Sequence, residues 1–75
     1  LRQEKAEQAK TLGATLKRRR TACKMTQEFV AEALGVSRQA VSKWESGQSD
    51  PSTTNLLALA KLFGVRPEEL LQEAE

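Results

Sequence analysis

The 75-residue sequence contains no histidine and only one cysteine, Cys23. Without histidine, the usual zinc ligand sets and the commonest general base are missing. One cysteine forms no internal disulfide, which fits a reducing, cytosolic setting. No apolar run approaches the ~18 residues of a membrane span, and no signal-peptide pattern is present. The sequence therefore predicts a cytoplasmic chain in which this segment touches no membrane and needs no cofactor or metal.

The chain length predicts a single small domain. A domain of this size buries only ~60% of the surface that its unfolded chain exposes, which leaves little room for a deep catalytic pocket. The sequence also offers no nucleophile–base–acid set, so we expect no enzymatic activity. Because the chain begins at Leu1 and not at Met, we expect an excised domain whose missing flanks, a C-terminal region among them, could carry a sensor, an oligomerisation region or a membrane segment.

The charge is unevenly distributed along the chain. Residues 17–43 contain seven basic and two acidic side chains, a net charge of +5, whereas the remaining residues carry −3. This middle segment would attract a polyanion first. A solvated basic helix face is the alternative interpretation.

Apolar side chains recur at helical spacing, and no segment alternates as a strand would. We therefore predict an all-α fold of four or five helices. The first covers about Arg2–Ala22, the second follows the N-cap Thr26 and the third follows the N-cap Ser37. The fourth runs from Ser52 or Thr53 to Phe63, and the fifth begins at Pro67.

The spacing also predicts which side chains are buried. The inner face of the first helix carries Ala9, Leu12, Leu16, Arg20 and Cys23, so Cys23 is expected in the core. Gly13 predicts close packing against an unidentified neighbour, because glycine costs ~1 kcal/mol inside a helix. Three leucines fall outside the inner stripes, and we favour a dimer interface over isolated surface positions for them: Leu57, Leu62 and Leu71.

The second and third helices are joined as a helix-turn-helix motif requires. Ala31 is a small residue where the helices cross, and Gly35, four residues later, tolerates the positive φ of the turn. Apolar residues that would lock the two helices together surround them: Val30, Leu34, Val36, Val41 and Trp44. This complete set within one window indicates helix-turn-helix geometry.

Residues 25–47 read MTQEFVAEALGVSRQAVSKWESG, and this segment closely resembles the Cro/repressor (XRE-type) transcriptional regulators. The resemblance covers roughly residues 12–71. It implies a compact five-helix domain whose third helix recognises DNA. We accordingly expect a polar extension at residues 1–11 that starts helix one, a DNA-binding domain at 12–71, and a polar tail or linker at 72–75.

The resemblance also assigns functional residues. Gln27 would bind a phosphate and brace the recognition helix, while Arg20 and Glu45 would form an inner ion pair. Four residues would contact bases in the groove: Arg38, Gln39, Ser42 and Lys43. Arginine can bond guanine and glutamine can bond adenine bidentately. Ser46 and Gln48 would lie near the DNA backbone, as would Ser37 at the helix N-terminus and Lys24.

Phe29 departs from the family pattern, in which a polar residue is usual. It could pack on a DNA sugar, on a partner or, as we favour, on a neighbouring side chain. The resemblance implies a transcription factor, with repression favoured, that binds a palindromic operator as a homodimer with recognition helices ~34 Å apart. The competing hypothesis is a protein-interaction module, such as an antitoxin-like or adaptor domain. The basic middle segment and the pair Arg38–Gln39 favour DNA.

Overall fold

Five α-helices occupy most of residues 11–74, the part of the chain that the computed structural model describes, and no strand occurs within this part. The all-α, five-helix prediction is confirmed. The helices are α1 (Leu12–Ala22), α2 (Gln27–Leu34), α3 (Arg38–Ser46), α4 (Thr53–Phe63) and α5 (Pro67–Glu73).

Hydroxyl side chains define where the first four helices begin. Thr11, Thr26, Ser37 and Ser52 each have extended backbone, and each accepts a hydrogen bond from the backbone N–H three residues later. Such a bond satisfies a donor that the helix leaves unpaired, which fixes the first turn. The predicted N-caps Thr26 and Ser37 are thereby confirmed, as is Pro67 in the first turn of α5.

Helix α1 is shorter at its start than predicted. Thr11 has φ −77° and ψ 156°, and its hydroxyl accepts from the Ala14 N–H at 3.1 Å. A threonine in this conformation begins a helix and is not itself helical, so no continuous helix passes through position 11. The prediction for residues 2–10 lies outside the described residues.

The core lies where all five helices meet. Its buried apolar side chains come from every helix: Leu16, Val30, Ala31, Val41, Trp44, Leu59, Ala60, Phe63 and Leu70. Thr15 is buried among them, and its hydroxyl has no hydrogen-bond partner in the described part of the chain. Leu57 and Leu71 are exposed, but Leu62 packs against the core. Leu62 is half-buried, so the inner stripe of α4 is wider than the spacing indicated, and a contact between Leu62 and a second copy stays a prediction.

The burial prediction for Cys23 was also wrong, since this residue is exposed. Helix α1 ends at Ala22, and Cys23 is its C-cap with φ −85° and ψ 1°. The chain leaves the helix at this point, so the α1 stripe does not extend to Cys23. The inner face of α1 ends at Arg20.

Candidate nucleic-acid interface

The turn between α2 and α3 is closed by backbone geometry. Gly35 has φ 75°, and the Val36 N–H donates to the Ala31 carbonyl at 2.9 Å. A left-handed residue at this point reverses the chain without a steric penalty only when it lacks a Cβ. The turn delivers Ser37, whose hydroxyl accepts from the Ala40 N–H at 3.1 Å and begins α3.

Helix α3 has one buried face and one polar face. Val41 and Trp44 are 2% and 6% exposed, so they fix the rotation of the helix about its axis. Arg38, Gln39 and Lys43 are exposed on the other side, and Ser42 is half-buried. The four predicted base-contact residues line one open polar depression together with Gln48: Arg38, Gln39, Ser42, Lys43 and Gln48.

A network of hydrogen bonds holds the C-terminal end of α3. Arg20 Nε donates to Glu45 Oε2 at 2.6 Å and its Nη2 donates to Oε1 at 3.2 Å, while Gln27 Nε2 also donates to Oε1 at 3.0 Å. The Arg20 and Glu45 side chains are only 12% and 6% exposed. Arg20 Nη1 also donates to the Met25 carbonyl at 2.8 Å. The carboxylate of Glu45 therefore joins α3 to both α1 and α2.

Gly13 allows α1 to approach this same end of α3. A Cβ at position 13 would lie 2.5 Å from the Trp44 carbonyl oxygen and 2.6 Å from that of Glu45. The close packing predicted at Gly13 is thus confirmed, and its neighbour is the backbone of the last turn of α3. Because the contacting atoms are backbone, no side-chain rotation could accommodate a larger residue.

The predicted phosphate-contact residues differ in whether their N–H and O–H groups already donate hydrogen bonds within the protein. Gln27 uses one amide N–H on Glu45, which leaves its second N–H available. Ser37 accepts a bond at its oxygen and keeps its proton, whereas Ser46 donates its hydroxyl to the Lys43 carbonyl at 3.2 Å. Lys24 and Gln48 are exposed. Ser46 would have to break its intrahelical bond before donating to a phosphate.

Three arginines of the basic segment form ion pairs within the fold. Arg18 donates to Glu73 at 2.9 Å, Arg19 forms a two-pronged ion pair with the same carboxylate, and Arg20 pairs with Glu45. The hydrogen bond from Arg19 lowers the pKa of Glu73, and Glu73 in turn raises the pKa of Arg19. Counting both carboxylates with residues 17–43 gives seven basic and four acidic groups, so the local charge is +3 and not +5.

The pairing with Glu73 could not be foreseen from the sequence, because Glu73 lies 54 residues after Arg19. By contrast, four cations of this segment have no ion-pair partner within the described residues: Lys17, Lys24, Arg38 and Lys43. Two of these, Arg38 and Lys43, line the polar depression on α3. The accessible positive charge is therefore concentrated on α3 more than on the arginine run of α1.

Two helices locked around a tight turn, with the second presenting a polar and basic face, define a helix-turn-helix domain. A family model described as "HTH_3: Helix-turn-helix" matches residues 16–70, and the chain belongs to this family. The resemblance to the Cro/repressor (XRE-type) regulators is thereby confirmed.

Curated relatives and a solved structure agree with this assignment. The chain is 47% identical over 60 residues to the HTH-type transcriptional activator BcrR of Enterococcus faecalis, covering 80% of this chain and 29% of BcrR. It is 41% identical over 61 residues to the HTH-type transcriptional regulator DicA of Escherichia coli, covering 81% of this chain and 45% of DicA. The chain thus spans less than half the length of either relative.

The P22 c2 repressor, solved in complex with synthetic operator 9T, superposes with a TM-score of 0.79 at 35% identity. The match covers 84% of this chain and 96% of that chain.

Within residues 11–74, no helix is both long enough and apolar enough to span a membrane.

Proposed function

We propose that this domain binds a specific DNA sequence and so regulates transcription, with α3 lying in the major groove. The observation that carries the proposal is the division of α3 into two faces. Val41 and Trp44 fix the buried face, while Arg38 and Gln39 occupy the exposed side of the first turn. A recognition helix contacts base edges with its N-terminal residues, so these two side chains would read guanine and adenine.

Phosphate contacts would set the position of α3 relative to the groove. The free amide N–H of Gln27 and the hydroxyl of Ser37 lie at the starts of α2 and α3, where the helix dipole favours an anion. Because Gln27 also donates to Glu45 at 3.0 Å, a phosphate held by Gln27 would be fixed relative to the recognition helix. Gln48 and, once released, Ser46 would extend the contact along the DNA backbone.

We further propose that two copies bind a palindromic operator. A homodimer would place its recognition helices ~34 Å apart, one turn of B-DNA. The exposed Leu57 and Leu71 are candidates for the contact between copies. Occupation of a promoter would repress transcription. A regulator of this kind would act in the cytoplasm, at the nucleoid. The operator complex of the P22 c2 repressor and the names of the relatives support regulation at DNA.

Selection of bound sequences from a random pool of double-stranded DNA tests the proposal. The enriched site should be palindromic. On that site, Arg38→Ala and Gln39→Ala should each lose ~1–3 kcal/mol of discrimination at one base position. Arg66→Ala is the matched control, because Arg66 is exposed at the start of α5 and is not in the polar depression.

The dependence of affinity on salt tests whether DNA is the ligand at all. Each neutralised phosphate should contribute a slope of ~−0.9 to the plot of log K against log salt. A flat plot, or an unchanged site and affinity in Arg38→Ala, would contradict the proposed recognition face. Absence of any enriched sequence, together with capture of a protein ligand by α3, would instead support an interaction module.

A further inference from the structure

Four helices in this domain end in the same backbone arrangement, but one of them does so with a different residue type. The left-handed residue after α2, α3 and α4 is glycine, at Gly35, Gly47 and Gly64, with φ of 75°, 85° and 76°. The corresponding residue after α1 is Lys24, with φ 59°. Within residues 11–74 it is the one non-glycine residue with positive φ.

The hydrogen bonds show that the four ends are equivalent. After α1, the Lys24 N–H donates to the Thr21 carbonyl at 2.9 Å and the Met25 N–H donates to the Arg20 carbonyl at 3.0 Å. The same two bonds follow each glycine; after α2, for example, Val36 bonds Ala31 at 2.9 Å. This is the Schellman arrangement, in which glycine is usual because a Cβ is strained at that φ.

Lysine at this position therefore lowers the stability of the fold relative to glycine. Asparagine would also suit this position better than lysine, because it tolerates the left-handed region more readily. A strained residue of this kind points to a function for its side chain. The Lys24 side chain is exposed, and no carboxylate pairs with it among the described residues.

The turn that carries Lys24 is rigidly connected to the recognition helix. Arg20 donates to the Met25 carbonyl at 2.8 Å and also binds Glu45 on α3. Two residues after Met25, Gln27 binds the same carboxylate. Lys24 thus lies three residues before Gln27, where α2 begins, on a segment that these bonds join to α3.

We infer that Lys24 is a sequence-independent phosphate-binding residue whose ammonium group strengthens DNA binding at the expense of fold stability. This inference rests on the proposed function, since it assigns the DNA backbone as the anion. Stability and affinity should consequently respond in opposite directions when lysine is replaced by a residue that suits the left-handed backbone.

Three variants and one control test this inference. Lys24→Gly and Lys24→Asn remove the charge and relieve the strain, whereas Lys24→Arg keeps both. Lys61→Gln removes one positive charge from the exposed face of α4 and controls for net charge. The probes are the selected operator duplex and an unrelated duplex of the same length, each titrated at several salt concentrations. Thermal melts of the free protein are recorded alongside.

Lys24→Gly should raise Tm by about 2–5 °C, since relief of strain outweighs the added freedom of the unfolded chain. It should weaken binding to both duplexes equally, by about 3- to 10-fold at low salt, as expected for one charged contact. The salt slope should become shallower by about 0.9. Lys24→Asn should resemble Lys24→Gly, and Lys24→Arg should bind DNA as the wild type does.

Other results would overturn the inference. Binding by Lys24→Gly no weaker than by Lys61→Gln would show that the ammonium makes no specific contact. Weakening confined to the operator would make Lys24 a base-reading residue, and an unchanged Tm would remove the stability cost. If the wild-type protein bound neither duplex, the proposed function would fail as well. If the wild-type protein bound DNA and Lys24→Gly bound it with the same affinity, only the role of Lys24 would be refuted.

Discussion

Removal of either partner of the Arg20–Glu45 ion pair should strongly destabilise the domain. The informative variants are Arg20→Met, Glu45→Leu and the double variant that carries both changes. Each replacement roughly keeps the volume of the side chain while removing its charge and hydrogen bonds. The double variant is essential, because it removes the pair without leaving one charge behind.

The burial of the pair sets the expected magnitude. At 12% and 6% exposure, a remaining partner is largely shielded from water, and breaking a buried pair costs ~3–5 kcal/mol. In Arg20→Met, the Glu45 carboxylate would keep only its bond from Gln27. In Glu45→Leu, Arg20 would keep only the Met25 carbonyl. A surface pair would instead contribute ~0–1 kcal/mol.

Urea denaturation followed by circular dichroism measures these costs from the midpoint, provided that the m-value is unchanged. A domain of this length is stable by only ~4–11 kcal/mol, so Glu45→Gln provides a milder variant if Glu45→Leu does not fold. The double variant should recover part of the single losses. Small, additive losses would refute the claim that the pair fixes the end of α3.

Three further predictions concern stability and can be checked by the same denaturation measurement. Gly13→Ala should destabilise the domain, because the backbone clash with Trp44 costs about 1–3 kcal/mol or more and outweighs ~1 kcal/mol of helix propensity; a more stable variant would contradict the contact. Thr15→Val should stabilise it by about 1 kcal/mol, since it removes a buried hydroxyl that has no partner among residues 11–74; a loss of stability would reveal an unrecognised bond. The pKa of Glu73 is lowered by its hydrogen bond from Arg19, so wild type should be more stable than Glu73→Gln at neutral pH. This difference in the free energy of unfolding should be intact above pH 4.5, the ordinary value, and should be lost as the pH falls through the lowered pKa of Glu73; a difference that does not change with pH would disprove the assignment.

The local signals in the sequence were sufficient to predict much of the fold. Thr26 and Ser37 offer hydroxyl caps, and Gly35 offers a left-handed residue at the one place where a tight turn between two helices requires it. These features act within three or four residues of chain, so their spacing is visible in the sequence. The positions of the helices, and hence of the polar face of α3, followed from them.

Other features depend on contacts between distant segments or on where a helix ends. Cys23 fitted the α1 stripe, but that stripe is meaningful only while the chain remains helical, and α1 ends at Ala22. The first helix was predicted to pass through Thr11, but the hydroxyl of this residue accepts from the Ala14 N–H and makes it the N-cap. The ion pairs of Arg18 and Arg19 with Glu73 depend on how α5 packs against α1. No local sequence pattern specifies that packing.

The two ends of α3 are fixed by different elements, which explains why residues far from DNA should affect specificity. The N-terminal end of α3 is positioned by the turn at Gly35 and by the cap at Ser37. Its C-terminal end is positioned by the close approach of Gly13 and by the bond from Arg20 to Glu45. A bidentate base contact requires hydrogen bonds of about 2.7–3.2 Å with good alignment. In the proposed complex, even a small tilt of α3 would break the base contact of Arg38 while leaving most of the attraction to phosphate intact. Changes at Gly13 or Arg20 that leave the protein folded should therefore reduce discrimination between sequences more than they reduce affinity for unrelated DNA.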